Sequence, residues 1–346
     1  AQWRQSKTGE SLTLWENRLP QSLVKVWFVQ HALYERDGGP YVDAEGKPWV
    51  DSAERFALFC HAVADIATGK AGLNWEPDIV HCNDWKTGLI PALLADSNKC
   101  TVFTIHNLAY QGLFDRATFD RLQLQESWWD MDALEFYGQF SFIKAGLVFA
   151  DMLNTVSPNY AQEIQTKAFG CGLEQLLQKK RQRLLGILNG IDGKLWDPRH
   201  DLHIPHQYGL KNIANKYLNK IALQEKCEFK QNDNKIVIGN IGRIAEQKGL
   251  DLILSILPQW TLQPVQFVFL GSGDALIERS LIQWQQRFPQ SIAVYLGYDE
   301  ALAHQIEAGA DIFVMPSRFE PCGLTQLYSL RYGTIPVGHG VGGLAD

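Results

Sequence analysis

The six cysteines, at positions 60, 82, 100, 171, 227 and 322, include no Cys-x-x-Cys pair. Neither a zinc ribbon nor a disulfide framework is therefore indicated, and reduced thiols in a cytosol-like compartment are expected. No apolar run approaches the roughly 18 residues that a membrane span needs, and the first nine residues are polar rather than signal-like, so a soluble protein is expected. An excess of positive charge is also missing. The 32 Lys and Arg stand against 38 Asp and Glu, a formal net charge of −6. That balance gives no whole-molecule field to attract nucleic acid or an anionic membrane, and a neutral or locally steered substrate fits better. No repeat of 20–50 residues and no low-complexity tract is visible, which sets aside solenoids and linkers.

What is present is enough apolar material for a full core. The 346 residues are 46% hydrophobic and 20% charged, and that length suits two domains better than one. From about Trp75 onward, short β-rich runs alternate with longer amphipathic stretches, the signature of parallel sheets covered by helices. Val24 to Val29 is the earliest strand candidate. Ile79 to Cys82, Thr101 to Ile105, Leu153 to Val156 and Leu184 to Leu188 make a first parallel set, with helices over Thr87 to Asp96 and Asn159 to Ala168. Lys235 to Ile241, Val265 to Leu270, Ile292 to Leu296, Asp311 to Met315 and Thr334 to Val337 make a second, with helices over Leu250 to Leu257 and Ala275 to Phe288. The polar stretch from Asp192 to Asn234 lies between them. The expected division is 1–188 and 189–346, with a cleft where the sets meet. Both ends look cut, the carboxyl end within a glycine turn.

In such sheets ligands bind beyond the carboxyl ends of the strands, so the loops there are the places to look. Gly242-Arg243-Ile244-Ala245-Glu246-Gln247-Lys248-Gly249 delivers two cations just as a helix begins, which suits a diphosphate. A solvated loop is the plainer alternative. In Arg318-Phe319-Glu320-Pro321-Cys322-Gly323-Leu324-Thr325, Glu320 precedes a helix start whose N–H groups suit a phosphate oxygen. Equally, Glu320 could only favour the helix dipole and Cys322 only fill a gap. Asp84 and His106 leave strands of the first set. An Asp there is commonly a helix N-cap and a His commonly a packing residue. Asn189-Gly190 and Gly297-Tyr298 are further polar or aromatic strand exits. Gly271-Ser272-Gly273-Asp274 lacks the rest of a dinucleotide fingerprint.

Five segments together resemble the glycogen and starch synthases that use a nucleotide-linked glucose. They are His81 to Trp85, Val102 to Gly112 (VFTIHNLAYQG), Asn154 to Ile164 (NTVSPNYAQEI), Gly242 to Leu250 (GRIAEQKGL) and, most specific, Pro316 to Gly333 (PSRFEPCGLTQLYSLRYG). Weaker similarity at Tyr34 to Tyr41 and Leu134 to Phe149 extends the match over nearly the whole chain.

The resemblance implies an α/β GT-B fold of two Rossmann-like domains, the first on the acceptor side and the second holding the nucleotide. It implies glucose transfer from ADP-glucose or UDP-glucose to the non-reducing end of an α-1,4-glucan, with retention and without a metal or cofactor, in a cytoplasm or plastid stroma. Arg243 and Lys248 match the cations that neutralise the leaving diphosphate, and Glu320 matches a carboxylate at the donor sugar. Asp84 and His106 match residues lining the donor glucose. Asn189, Gly297, Tyr298, Cys322, Gly323, Leu324 and Thr325 match donor contacts, and Asn107 and Tyr41 match the acceptor side. Three departures stand out. The family's Lys-Thr-Gly-Gly-Leu loop is absent, and Lys7-Thr8-Gly9 is a decoy that no strand precedes. Asn83 replaces the second His of the His-x-His-Asp-Trp motif. Gly338-His339-Gly340-Val341 replaces the basic residues expected before the final Gly-Gly, which predicts a weaker hold on the diphosphate. Two alternatives remain open: a glucan-binding homologue without turnover, and a GT-B transferase with a small acceptor.

Overall fold

The computed structural model describes residues 2–5, 8–231 and 234–346. The chain forms two compact units, one of residues 1–156 with 161–186 and one of residues 157–160 with 187–346.

The first unit opens with an antiparallel sheet of β1 (Gln2–Arg4), β2 (Ser11–Arg18) and β3 (Lys25–Gln30). Leu12 and Leu14 face inward from β2 against Leu58, Ala62 and Ile66 of α1 (Ser52–Ala67). This corrects two expectations. Val24 to Val29 is not the earliest strand: β1 and β2 precede it, and it pairs antiparallel with β2. A strand does precede Thr8-Gly9, although Lys7 itself lies outside the described residues. The strand is only three residues long and turns back through a hairpin closed by the bond from Gly9 N–H to the Gln5 carbonyl at 2.9 Å.

The parallel part follows as β4 (Ile79–Asn83), α2 (Leu89–Leu93) and β5 (Cys100–Ile105). Next come β6 (Leu113–Phe114), α3 (Arg116–Arg121), β7 (Glu135–Phe136) and β8 (Gln139–Ser141), whose strands form a small sheet of order β6-β8-β7. The unit closes with α4 (Phe142–Phe149), β9 (Met152–Thr155), the second half of α5 (Pro158–Glu163), α6 (Glu174–Lys179) and β10 (Leu184–Gly186), and the parallel sheet runs β10-β9-β5-β4. Three predicted elements are shorter than expected. The helix over Thr87 to Asp96 is a 3-10 turn at Trp85–Thr87 followed by five residues of α2, and β10 stops at Gly186. The helix over Asn159 to Ala168 stops at Glu163, where Thr166 N–H and hydroxyl both bond the Glu163 carbonyl.

The second unit contains α7 (Asn215–Lys226), β11 (Ile236–Ile241), α8 (Leu250–Trp260), β12 (Val265–Gly271) and α9 (Ala275–Arg287). It continues with β13 (Ile292–Leu296), α10 (Glu300–Gly309), β14 (Ile312–Met315), α11 (Leu324–Tyr332) and β15 (Ile335–Gly338). All five strands are parallel in the order β13-β12-β11-β14-β15. β12 is buried at every position, as a strand covered on both faces must be. One face packs Val237, Val268, Leu270 and Phe313 with Leu223 of α7 and Ile306 of α10. The other packs Ile238, Phe267, Phe269 and Ile292 with Ile253 of α8 and Leu281 of α9. The polar stretch after Asp192 therefore supplies a covering helix, α7.

A buried polar network holds α11 in register. The carboxylate of Asp201 accepts from the Tyr332 hydroxyl and pairs with His304 Nδ1 at 2.7 Å. The Trp196 ring is sandwiched between His304 and Tyr328, each centroid 3.8 Å away. Nearby, Glu307 is fully buried and accepts from the Ser329 hydroxyl at 2.8 Å. Burial pushes its carboxyl up to about 8, against the opposing pull of the Ser329 hydrogen bond and of Lys216. Between its ordinary value and about 8 the unfolded chain has released this proton and the native chain keeps it, so stability falls as pH rises. Glu307→Gln should remove a slope of about 1.4 kcal/mol per pH unit across that window, read from urea unfolding at a series of pH values.

Gly249 heads α8 at φ +67°, and a Cβ there would stand 2.1 Å from the Pro316 carbonyl oxygen. The loop after β11 can lie against the end of β14 only because this side chain is missing. Left-handed strain and the clash together should make Gly249→Ala cost roughly 2–4 kcal/mol, visible as a lower urea midpoint.

Candidate functional site

In the second unit, β11 and β14 are neighbours, so the loops leaving their carboxyl ends run side by side. Lys248, in a 3-10 turn of the first loop, forms an ion pair with Glu320 of the second. Their side chains are 27% and 12% exposed, so the pair is shielded yet reachable. The Ser317 hydroxyl donates to the same Glu320 oxygen at 3.0 Å. Gln247 stitches the loops further: its amide donates to the Phe319 carbonyl at 3.2 Å, and its own carbonyl accepts from Arg318 N–H at 2.9 Å. Arg243 reaches Gln247 Oε1 at 3.5 Å. Arg318 turns away to a bidentate pair with Asp251 at 2.6 and 2.8 Å, so its charge is already matched.

The Glu320 turn is closed from behind by the glycines near the end of the chain. Gly343 N–H donates to the Glu320 carbonyl at 2.9 Å, and a Cβ on Gly342 would lie 2.0 Å from that oxygen. His339 Nδ1 sits 3.1 Å from the Ser317 carbonyl, so the stretch that departs from the family pattern still lies against the same turn. Cys322 is hydrogen-bonded to Asn189 through that residue's side chain and backbone, and burial outweighs these bonds to push its thiol up. Gly323, at φ +80°, caps α11. The amides of Leu324 and Thr325 in the first turn have no carbonyl a turn earlier in the helix to bond. Gly242, Arg243, Ser272, Gly297 and Tyr298 line a recess of roughly 280 Å³ beyond β11, β12 and β13. Tyr298 is 88% exposed on its rim. Gly271-Ser272-Gly273-Asp274 is a structural turn: Ser272 accepts from Ile244 N–H at 2.8 Å, and Asp274 caps α9.

The first unit gathers a separate group. Asp84 does not cap the turn after it with its side chain; its carboxylate instead accepts from the backbone N–H of His106 at 2.8 Å and of Asn107 at 3.3 Å. Asp84 holds φ 59° and ψ 178°, a region that essentially only glycine occupies comfortably, at a cost of order 1–3 kcal/mol. His106 Nε2 lies 2.9 Å from Asn83 Oδ1. The Tyr41 ring is 6.4 Å from that of Trp85, with the Lys86 ammonium 4.8 Å from its centroid.

Sequence reasoning singled out the charged and glycine positions and missed two neutral residues: Gln247, which bonds one loop to the other, and Ser317, which holds the Glu320 carboxylate within its own loop. Their positions at strand exits were the available signal. Asn83 was read only as a departure, yet the β4–β5 register puts it one diagonal step from His106. Among the described residues no group of three or more His, Cys, Asp and Glu side chains is placed to hold a metal ion, and no helix is long and apolar enough to cross a membrane.

Residues 3–179 match the family model described as the starch synthase catalytic domain, and residues 224–346 match that of glycosyl transferases group 1. Glycogen synthase 1 of Methylococcus capsulatus is 53% identical over 343 residues, covering 98% of this chain and 70% of that protein. The glycogen synthase of Cellvibrio japonicus is 52% identical over 339 residues, 97% of this chain and 70% of that one. Among solved structures, the catalytic domain of starch synthase IV from Arabidopsis thaliana, bound to ADP and acarbose, superposes with a TM-score of 0.86 at 31% identity, covering 98% of this chain and 71% of that one. Anabaena HepE in complex with UDP and glucose, at 15% identity and a TM-score of 0.52, shares the fold alone. With two parallel α/β units and this degree of identity, the chain belongs to the glycogen and starch synthase family and is a GT-B glycosyltransferase.

Proposed function

We propose that the protein moves glucose from a nucleoside-diphosphate glucose, ADP-glucose or UDP-glucose, to the non-reducing end of an α-1,4-glucan with retention at the anomeric carbon. The pairing of Lys248 with Glu320 beside the start of α11 supports this reading most directly, because it sets a cation, a carboxylate and helix amides around one turn. The ADP bound to the Arabidopsis relative favours the adenine donor.

In this reading the second unit carries the nucleotide sugar and the first contributes the acceptor side. As the bond from the anomeric carbon to the diphosphate breaks, negative charge grows on the leaving oxygens. Arg243, Lys248 and the Leu324 and Thr325 amides are the groups assigned to receive it, the work a divalent cation does in other transferases. Glu320 accepts hydrogen bonds from sugar hydroxyls and favours the positive charge that develops on the ring. Asn189, Cys322 and Gly323 shape the turn for the donor, and Gly297 and Tyr298 offer a bare backbone and an exposed ring to the nucleotide. Asp84 and His106 serve the donor glucose, while Asn107 and Tyr41 serve the acceptor. The glycogen synthases among its relatives are bacterial, and a cytoplasmic setting suits the same role.

Lys248→Ala and Glu320→Ala should each lower turnover by roughly 10²–10³, about 3–4 kcal/mol of lost charge stabilisation. The measurement is incorporation of labelled glucose into glycogen from ADP-glucose and UDP-glucose in parallel. Unchanged incorporation in both variants would remove the assignment of these residues. Glucan retention by the wild-type protein without incorporation from either donor would point to a binding homologue instead.

A further inference from the structure

We infer that Asn83 is a positioning residue that fixes the His106 ring in one tautomer, with the proton on Nε2 and the Nδ1 lone pair left as the acceptor for a sugar hydroxyl. This deepens the proposed function, and the hydroxyl partner rests on that reading. The tautomer does not.

The placement follows from strand geometry. Along β4, Val80 and Cys82 are buried while Ile79, His81 and Asn83 point to the opposite face. Asn83 lies opposite Thr104 in the β4–β5 register, so His106, two residues further along, is its diagonal neighbour on the same face. With its amide oxygen 2.9 Å from Nε2, Asn83 presents lone pairs to the ring, and the ring state that matches them carries its proton on Nε2. The residue after Asn83 restrains the other end of the same histidine, since the Asp84 carboxylate accepts from His106 N–H at 2.8 Å. Backbone and ring are thus held by consecutive residues of one strand exit. The same face repeats the device one step back. His81 Nε2 lies 2.6 Å from Thr104 Oγ1, whose hydroxyl proton goes to Asn154 Oδ1 at 2.6 Å, so Thr104 accepts from the ring.

The His106 bond is solvent-exposed, so its yield in stability is small and its consequence is orientation. With the Asn83 oxygen placed as acceptor, only one His106 tautomer is compatible.

The test is long-range ¹H–¹⁵N correlation on histidine-labelled full-length chain at pH 8, above the ordinary imidazole pKa of about 6.5, with the His106 signals assigned by their loss in His106→Gln. Wild type should show a protonated Nε2 and an unprotonated Nδ1. Asn83→Asp keeps an acceptor oxygen and should keep that pattern. Asn83→Leu removes it and should give mixed tautomers, together with a donor KM raised roughly three- to tenfold at nearly constant kcat, the loss of one hydrogen bond made equally in ground and transition states. A wild-type ring protonated on Nδ1, or an unchanged His106 pattern in Asn83→Leu, would overturn the inference whatever the activity. Should Asn83→Leu lose the signals of the other histidines, and so fail to fold, wild type and Asn83→Asp still decide the tautomer. The expected tautomers in a wild-type protein that transfers no glucose would instead sink the functional reading.

Discussion

Two loops that leave adjacent parallel strands meet at one ion pair, Lys248 with Glu320, and most of what surrounds it exists to permit that approach. A cation and an anion on neighbouring loops would otherwise stay hydrated and apart, since an exposed pair contributes only ~0–1 kcal/mol. Here the backbones are brought close first. Gly249 lies on the Pro316 carbonyl and Gly342 on that of Glu320, each where a single Cβ would collide. Gln247 then hydrogen-bonds across the gap, and Ser317 holds the Glu320 carboxylate from within its own loop. The charge pair is the outcome of that packing, and its partial shielding makes each group more effective toward a bound ligand.

Asp84 shows the complementary arrangement in the first unit. Its side chain is not spent on the turn that it begins; the residue instead adopts a costly backbone conformation and aims its carboxylate at the amides of His106 and Asn107. Local strain of this kind persists where surrounding contacts over-determine it. Asp84 N–H bonded to the Thr104 carbonyl at 2.9 Å is one such contact, continuing the strand ladder one residue past its end.

Much of this was legible from residue order. Strands buried on both faces, such as Val265–Gly271, read as apolar runs broken at most by a single polar residue, here Gln266, and their boundaries fell within a residue or so of expectation. The charged loop residues were legible because two cations before a helix, or a carboxylate before one, are chemically conspicuous. What sequence hid was of two kinds. Lys25–Gln30 reads as a strand whichever sheet it joins, and only its partner settles the direction. The roles of Gln247 and Asn83 depend on register between strands far apart in sequence, and no local pattern encodes that. Short helices were over-extended because side-chain hydroxyls such as that of Thr166 ended them early.

The indole of Trp196, face to face with an imidazole of α10 on one side and a phenol of α11 on the other, carries a mechanical implication. Stacked rings resist tilting far more than sliding, and the Tyr208 hydroxyl bonded to the last carbonyl of α11 at 2.8 Å blocks the slide. The segment around residues 196–208 and helix α11 are therefore tied to each other at two points. Any reorientation of the helix that presents Leu324 and Thr325 has to drag this stretch of connector with it.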